Sequence, residues 1–356
     1  VIRLLVVDDS ALVRKLIGKV FAAESDFQVS FARNGNEALA AIAKAVPDVV
    51  TLDVHMPEMD GLTCLDRIMV EHPCPVIMVS SMTADGADAT LEALRLGAVD
   101  FVAKPSGAVS LRIDEMAPEL VGKVRQAAAV PLKRSLRLRE RVRHRIGGAA
   151  RQSPQGVRTT ANVPATGDGL VLVGCSTGGP PALETLLTNL PAAFPWPVLV
   201  AQHMPSTFTG QLARRMDGLC ELSVVEVRAP MPLRPGVVYI GRGDADILVS
   251  RRGADLVAQP APAQADYPWH PSADRMVRSA LNHFAAGQLV GILMTGMGND
   301  GAEAMSLLHS KGGRTIAEAE ETAVVWGMPG ELVKAGGADF VLQVQDIAAQ
   351  LQKLVP

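Results

Sequence analysis

The stretch LVLVGCSTGGPPALETLL, Leu170–Leu187, decides how the chain is read. An apolar, valine-rich run meets a Gly-rich turn, and a helical pattern with prolines near its start follows. Strand, tight turn and helix in that order make the opening unit of a parallel α/β sheet. In such sheets functional groups collect beyond the carboxyl ends of the strands. Ser176 stands in the turn, at the centre of G-C-S-T-G, which fits the G-x-S-x-G pattern of an exposed serine nucleophile on a sharp strand-to-helix turn. The Thr177 N–H and the start of the helix are placed to stabilise an oxyanion. The turn has neither G-x-G-x-x-G nor the Walker pattern, which weighs against a nucleotide cradle.

Working outward, a serine needs a base and the base an orienting carboxylate. His203 follows the apolar run PVLVAQ (197–202), and Asp300 lies in LMTGMGNDGAEAM (293–305), between a strand pattern and a helix pattern. Alone, such a histidine is more often structural and such an aspartate a helix cap. Three such residues at one kind of topological position point to a triad. Met297, in the turn TGMG, falls beside the same site. The chain order Ser, His, Asp differs from the Ser, Asp, His of an α/β-hydrolase. Cys175 is the rival nucleophile, but as the residue before the serine its side chain is expected to point into packing. Further strands are expected at VVYIG (237–241), DILVS (246–250), LVGILMTG (289–296), RTIA (314–317) and FVLQV (340–344). Residues 169–356 therefore read as a doubly wound, mostly parallel α/β domain. Its Pro- and Gly-rich middle, Ala229 to Pro271, is expected to hold hairpins outside the parallel sheet.

Upstream, LLVV (4–7), VSFA (29–32), VVTL (49–52), VIMVS (76–80) and FVA (101–103) alternate with amphipathic helical segments. This predicts a flavodoxin-like five-stranded parallel sheet over residues 1–125. Asp8, Asp9, Asp53, Ser80 and Lys104 all fall at strand carboxyl ends and so converge. Carboxylates gathered in one pocket repel unless a cation is present, and oxygen ligands suit Mg²⁺. A carboxylate beside such an ion can attack a phosphoryl group and form an acyl phosphate, with Ser80 and Lys104 on the phosphoryl oxygens. Residues 126–168 join the halves; nine Lys or Arg against one acid, Glu140, mark 131–160 as a basic helical extension passing into a linker.

Composition narrows the function. With 356 residues, 48% hydrophobic and 20% charged, there is material for two cored domains. Aromatics at 4% argue against a stacking platform for single strands, and a net charge of -3 gives no general footprint for DNA. No apolar run reaches the roughly 18 residues of a membrane span. The N-terminus turns acidic after seven residues, unlike a secretion signal. Cys64, Cys74, Cys175 and Cys220 lack metal-finger or disulfide spacing. A cytoplasmic protein without nucleic-acid partner or membrane insertion is expected.

Two resemblances sharpen these readings. VVDDS (6–10), DVHMPEMDG (53–61), VIMVSS (76–81) and FVAKP (101–105) resemble the receiver domain of two-component response regulators. That resemblance implies Asp53 as phosphoacceptor, and Asp8, Asp9, Asp53 and the backbone carbonyl of His55 as the Mg²⁺ environment. It implies Ser80 as switch hydroxyl, Phe101 as switch aromatic, Lys104 beside them, and a cis Lys104–Pro105 bond. GCSTGGP (174–180), AQHMP (201–205), RAPMPLRPGVVYIG (228–241), TGMGNDG (295–301) and VVWGMPG (324–330) resemble the catalytic domain of the chemotaxis protein-glutamate methylesterase family, CheB. The implied activity is hydrolysis of glutamate methyl esters on chemotaxis receptors, with deamidation of receptor glutamines. Ser176 would be nucleophile, His203 base and Asp300 orienter, with Thr177 and Met297 near the oxyanion. No cofactor is implied for that reaction; the receptors and a chemotaxis histidine kinase are the implied partners. An esterase acting on another protein and a receiver-linked scaffold with an inert triad are the alternatives. Two segments depart from the family pattern. GRGDADIL (241–248), with Arg242, stands for A-P-G-x-x-H, and HPSADRMV (270–277), with Arg275 at an apolar position, for P-S-V-D-x-L-F.

Overall fold

The computed structural model describes residues 1–81, 83–104, 109–130 and 169–355. Most of the basic connector and the Lys104–Pro105 bond lie outside the described residues. The chain forms two compact units.

In the first half, β1 (Ile2–Val7), β2 (Phe27–Ala32), β3 (Val49–Asp53), β4 (Val76–Ser81) and β5 (Asp100–Lys104) lie in the sheet order β2-β1-β3-β4-β5, the order expected of a flavodoxin-like sheet. Between them run α1 (Ala11–Ala22), α2 (Gly35–Lys44), α3 (Gly61–Glu71) and α4 (Ala84–Leu96), and α5 (Val109–Ala127) follows. The first three helices start where short polar side chains cap them. Ser10, Asn34 and Asp60 accept hydrogen bonds from the N–H groups of Val13, Glu37 and Thr63. Each such cap is worth about 1 kcal/mol. α1 buries Val13, Ile17 and Phe21, one face at helical spacing. The central strands are mostly apolar, with Leu4–Val7 of β1 and all of β3 buried, because both sheet faces are covered. Most of α4 and β5 groups with the second compact unit.

The second half is built on seven parallel strands in the order β15-β14-β13-β6-β7-β10-β8. These are β6 (Leu170–Cys175), β7 (Val198–Gln202), β8 (Ser223–Val227), β10 (Val237–Gly241), β13 (Leu289–Leu293), β14 (Arg314–Glu318) and β15 (Phe340–Leu342). The helices are α6 (Gly179–Leu187), α7 (Ser206–Leu219), α8 (Ala273–Leu281), α9 (Ala302–Ser310), α10 (Met328–Lys334) and α11 (Val344–Leu354). The expected excursion is a separate antiparallel sheet of β9 (Met231–Pro232), β11 (Ala245–Arg252) and β12 (Asp255–Pro262), ordered β11-β12-β9. From β6 the chain moves outward through β7, then returns to place β13 on the other side of β6. In open α/β sheets ligands bind beyond the strand carboxyl ends at such a reversal.

Three details differ from expectation. β8 was not expected; it is an edge strand with the mixed burial of SVVEV, a weak pattern. β12 carries Pro260 and Pro262, which argue against a strand but are accommodated in a short antiparallel sheet. β15 ends at Leu342 because Gln343 is the N-cap of α11.

Candidate active site

Ser176 stands one residue beyond β6, and His203 one beyond β7. Cys175 and Gln202 pair across these parallel strands, so the two site residues leave neighbouring strands together. The His203 N–H donates to the Cys175 carbonyl at 3.0 Å. On the other flank β13 pairs with β6, and the turn after it is tied to the serine: the Ser176 N–H donates to the Thr295 carbonyl at 3.0 Å. That turn ends in Asp300 just before α9. Ser176, His203 and Asp300 thus come from three adjacent strands at the reversal point.

Asp300 is the structural centre of the site, and its side chain is buried. One oxygen, Oδ2, meets His203 Nε2 at 2.8 Å and accepts from the Ala273 N–H at 2.6 Å. The other, Oδ1, accepts from the Ser272 hydroxyl at 2.9 Å and the Asp274 N–H at 3.1 Å. Burial opposes ionisation here. The His203 imidazole and the Ala273 and Asp274 N–H groups outweigh it and hold the carboxyl below the usual range. The nearby Asp274 runs the other way, pushed up by burial and by the Asp300 charge despite the Ala304 N–H it accepts. His203 Nδ1 is buried and has no hydrogen-bond partner among the described residues.

The serine turn is tight, with the Gly179 N–H donating to the Ser176 carbonyl at 2.8 Å. A Cβ on Gly179 would come within 2.0 Å of Gln202 Oε1, so the glycine leaves room for that buried side chain. The Gln202 amide in turn donates to the carbonyls of Ser176 and His203, each at 3.0 Å. Ser176 does not carry the unusual backbone angle of this turn. Among the described residues Glu58 alone of the non-glycines has a positive φ, and here the left-handed position falls on Gly178, at φ 78°. Cys175 is fully buried, with its thiol donating to Gln202 Oε1 at 3.1 Å. Burial pushes its pKa well above that of an ordinary thiol.

Thr295 escaped the sequence reading. Its hydroxyl donates to the Thr177 carbonyl at 2.8 Å and accepts from the Val324 and Val325 N–H groups at 3.0 and 3.1 Å. Its own N–H donates to buried Glu318 at 2.8 Å. One threonine thereby joins the serine turn, the turn carrying half-buried Met297, and the VVWGMPG segment. Ser272 was missed for the same reason: hydroxyls give no periodic signal. Within the second compact unit the Thr177 hydroxyl also hydrogen-bonds Asp100, and the rings of Phe101 and Phe208 lie 4.4 Å apart.

At the other sheet's carboxyl edge, one carboxylate oxygen each from Asp8, Asp9 and Asp53 falls within 4.8 Å of the others. That oxygen-only set fits a hard divalent cation. The His55 N–H donates to Asp53 at 3.4 Å, and Ser80 is buried with its hydroxyl donating to the Gly86 carbonyl at 3.1 Å. Phe101 is buried and Lys104 ends β5.

A parallel sheet with Ser, His and Asp at its reversal point, preceded by an acidic receiver edge, defines a receiver-bearing hydrolase. Residues 171–351 match the family model described as CheB methylesterase, and residues 4–113 match that of the response regulator receiver domain. The chain belongs to the CheB methylesterase family. A protein-glutamate methylesterase/protein-glutamine glutaminase of Rhodopseudomonas palustris is 58% identical over 354 residues, covering 98% of this chain and 96% of that protein. One from Rhodospirillum rubrum is 51% identical, covering 98% and 95%. Among solved structures, the Thermotoga maritima CheB methylesterase catalytic domain aligns with a TM-score of 0.51 at 35% identity, covering 52% of this chain and 98% of that one. No helix among the described residues is long and apolar enough to cross a membrane.

Proposed function

We propose that this chain hydrolyses γ-methyl esters of glutamate on methyl-accepting chemotaxis receptors, releasing methanol, and deamidates receptor glutamines at the same site. The observation that carries the reading is the His203 imidazole, with Nε2 held by Asp300 and Nδ1 left for the serine that leaves the neighbouring strand.

The chemistry follows from those positions. Asp300 accepts a hydrogen bond from the Nε2–H and so keeps the lone pair on Nδ1. Nδ1 takes the Ser176 proton as the hydroxyl oxygen attacks the ester carbonyl. The tetrahedral oxyanion faces the Thr177 N–H and the start of α6. His203 then returns the proton to the departing methoxide. Water, deprotonated by the same nitrogen, cleaves the acyl-enzyme to free glutamate. With a carboxamide, ammonia leaves by the same path.

Control falls to the receiver. Asp53 attacks a phosphoryl donor, the chemotaxis histidine kinase, and becomes an acyl phosphate. Mg²⁺ held by Asp8, Asp9, Asp53 and the His55 carbonyl would offset the charge gathered there. Ser80 and Lys104 would then bind the phosphoryl oxygens, and a shift of Phe101 within β5 would release Asp100 from Thr177.

Methanol release from methylated receptor membranes tests the whole reading. Wild type should release methanol faster with acetyl phosphate, Ser176→Ala should release none, and Asp53→Ala should not respond to the phosphodonor. Release by Ser176→Ala would overturn the nucleophile, and stimulation of Asp53→Ala the phosphoacceptor.

A further inference from the structure

The two segments that depart from the family pattern meet in space. Asp246 in β11 has a fully buried side chain. It accepts from His270 Nδ1 at 3.0 Å, from the Ser272 N–H at 2.6 Å and from the Arg275 guanidinium. Arg275 also donates to the Pro262 carbonyl at 2.8 Å and lies 5.7 Å from the Tyr267 ring centroid. A buried carboxylate is costly unless paired and hydrogen-bonded, so Asp246 and Arg275 belong together. The network grips a short strap at both ends, at Tyr267 and at His270.

Trp269 projects from that strap. Its ring lies parallel to the His203 imidazole, with centroids 6.0 Å apart and planes within 5°. It also covers Gly298 of the TGMG turn, where a Cβ would meet Trp269 Cζ2 at 2.8 Å. The indole therefore spans from the base to the turn beside the nucleophile, although it belongs to neither.

We propose that Trp269 is a specificity-determining wall of the site, and that Asp246, His270 and Arg275 are the positioning residues that hold it. This rests on the esterase reading above. The ligand class is a neutral acyl arm: methylenes ending in a methyl ester or carboxamide. A flat indole face packs against such an arm and gives nothing to the carboxylate product, which favours release.

The test uses the full chain as wild type, Trp269→Ala, Trp269→Phe, Arg275→Met and the Trp269→Ala/Arg275→Met double variant. Methanol release is followed against concentration of methylated receptor. Ser176 labelling by an alkyl fluorophosphonate is followed in parallel. Trp269→Ala should raise KM about tenfold with little change in kcat, and Trp269→Phe should recover most of it. Arg275→Met should raise KM in the same direction, yet add nothing in the Trp269→Ala background. With 5-fluorotryptophan at the three tryptophans, Arg275→Met should move the fluorine resonance that Trp269→Phe removes. An unchanged KM in Trp269→Ala overturns the wall. An Arg275→Met effect that persists in full without Trp269, or an unmoved resonance, overturns the positioning network. If wild type releases no methanol but the probe labels Ser176, the receptor reading fails alone. The same variants are then judged by the concentration dependence of labelling.

Discussion

His203 meets Asp300 through Nε2, at 2.8 Å, and keeps Nδ1 buried without a hydrogen-bond partner among the described residues. In chymotrypsin-type triads the acid takes Nδ1 and Nε2 does the proton transfer. In the mechanism proposed above the ring is used the other way round. The reason is in the chain path: the carboxylate comes from the turn after β13, and the serine from the strand end beside β7.

Asp300→Asn should therefore lower kcat by about 10⁴-fold, because an amide can donate to Nε2 and drive the proton onto Nδ1. Methanol release and fluorophosphonate labelling should fall together. Activity close to wild type would remove Asp300 from its role.

The same carboxyl gives a pH signature. Its folded-state pKa lies below the usual value, so its contribution to stability is present at neutral pH and is lost as pH falls through that depressed value. Asp274, raised by burial, has the opposite sign: its folded form favours the proton, and that preference weakens the fold as pH rises. Urea unfolding between pH 7 and pH 3 should show Asp300→Asn converging on wild type at the acid end. Asp274→Asn should be no less stable than wild type at pH 7, and a marked loss there would contradict the sign.

Thr295→Val keeps the shape but strips the hydroxyl from the Val324 and Val325 N–H groups and from the Thr177 carbonyl. Leaving such buried groups unpaired costs about 1–3 kcal/mol, so the thermal midpoint should drop and activity with it. Thr295→Ser, which keeps the hydroxyl, should recover most of both.

Cys175→Ala should retain methanol release, since the buried thiol is held far from its thiolate. Iodoacetamide at neutral pH should likewise leave wild type active. Loss of turnover in the alanine variant without loss of folding would reopen the choice of nucleophile.

At the receiver edge, Asp53→Asn should abolish uptake of phosphate from acetyl phosphate, and chelation of divalent cations should do the same to wild type. Asp8→Asn should need more Mg²⁺ for the same phosphorylation. Phosphate-affinity gel mobility reads all three.

Much of this was legible because parallel strands are short apolar runs and their carboxyl ends are where chemistry collects. Asp53 ends β3, Ser176 and His203 stand one residue beyond β6 and β7, and Asp300 lies in the turn that follows β13. β8 and β12 were not legible, one being a half-exposed edge and the other broken by prolines. Thr295 and Ser272 were invisible for a different reason. Their roles lie in hydroxyls that join segments far apart in sequence, as with Ser272 and Asp300. The G-x-S-x-G pattern drew attention to Ser176 but said nothing of its backbone, because the pattern records where glycines stand and not which residue carries the unusual angle.

That angle sits on Gly178, which leaves Ser176 in ordinary backbone. Position 176 can accordingly be rewritten without refolding the turn. Ser176→Cys would present a sulfur in the same place, where the acyl group would stay as a more slowly hydrolysed thioester. The enzyme would then become a covalent trap, carrying its own substrate segment into a mass spectrometer.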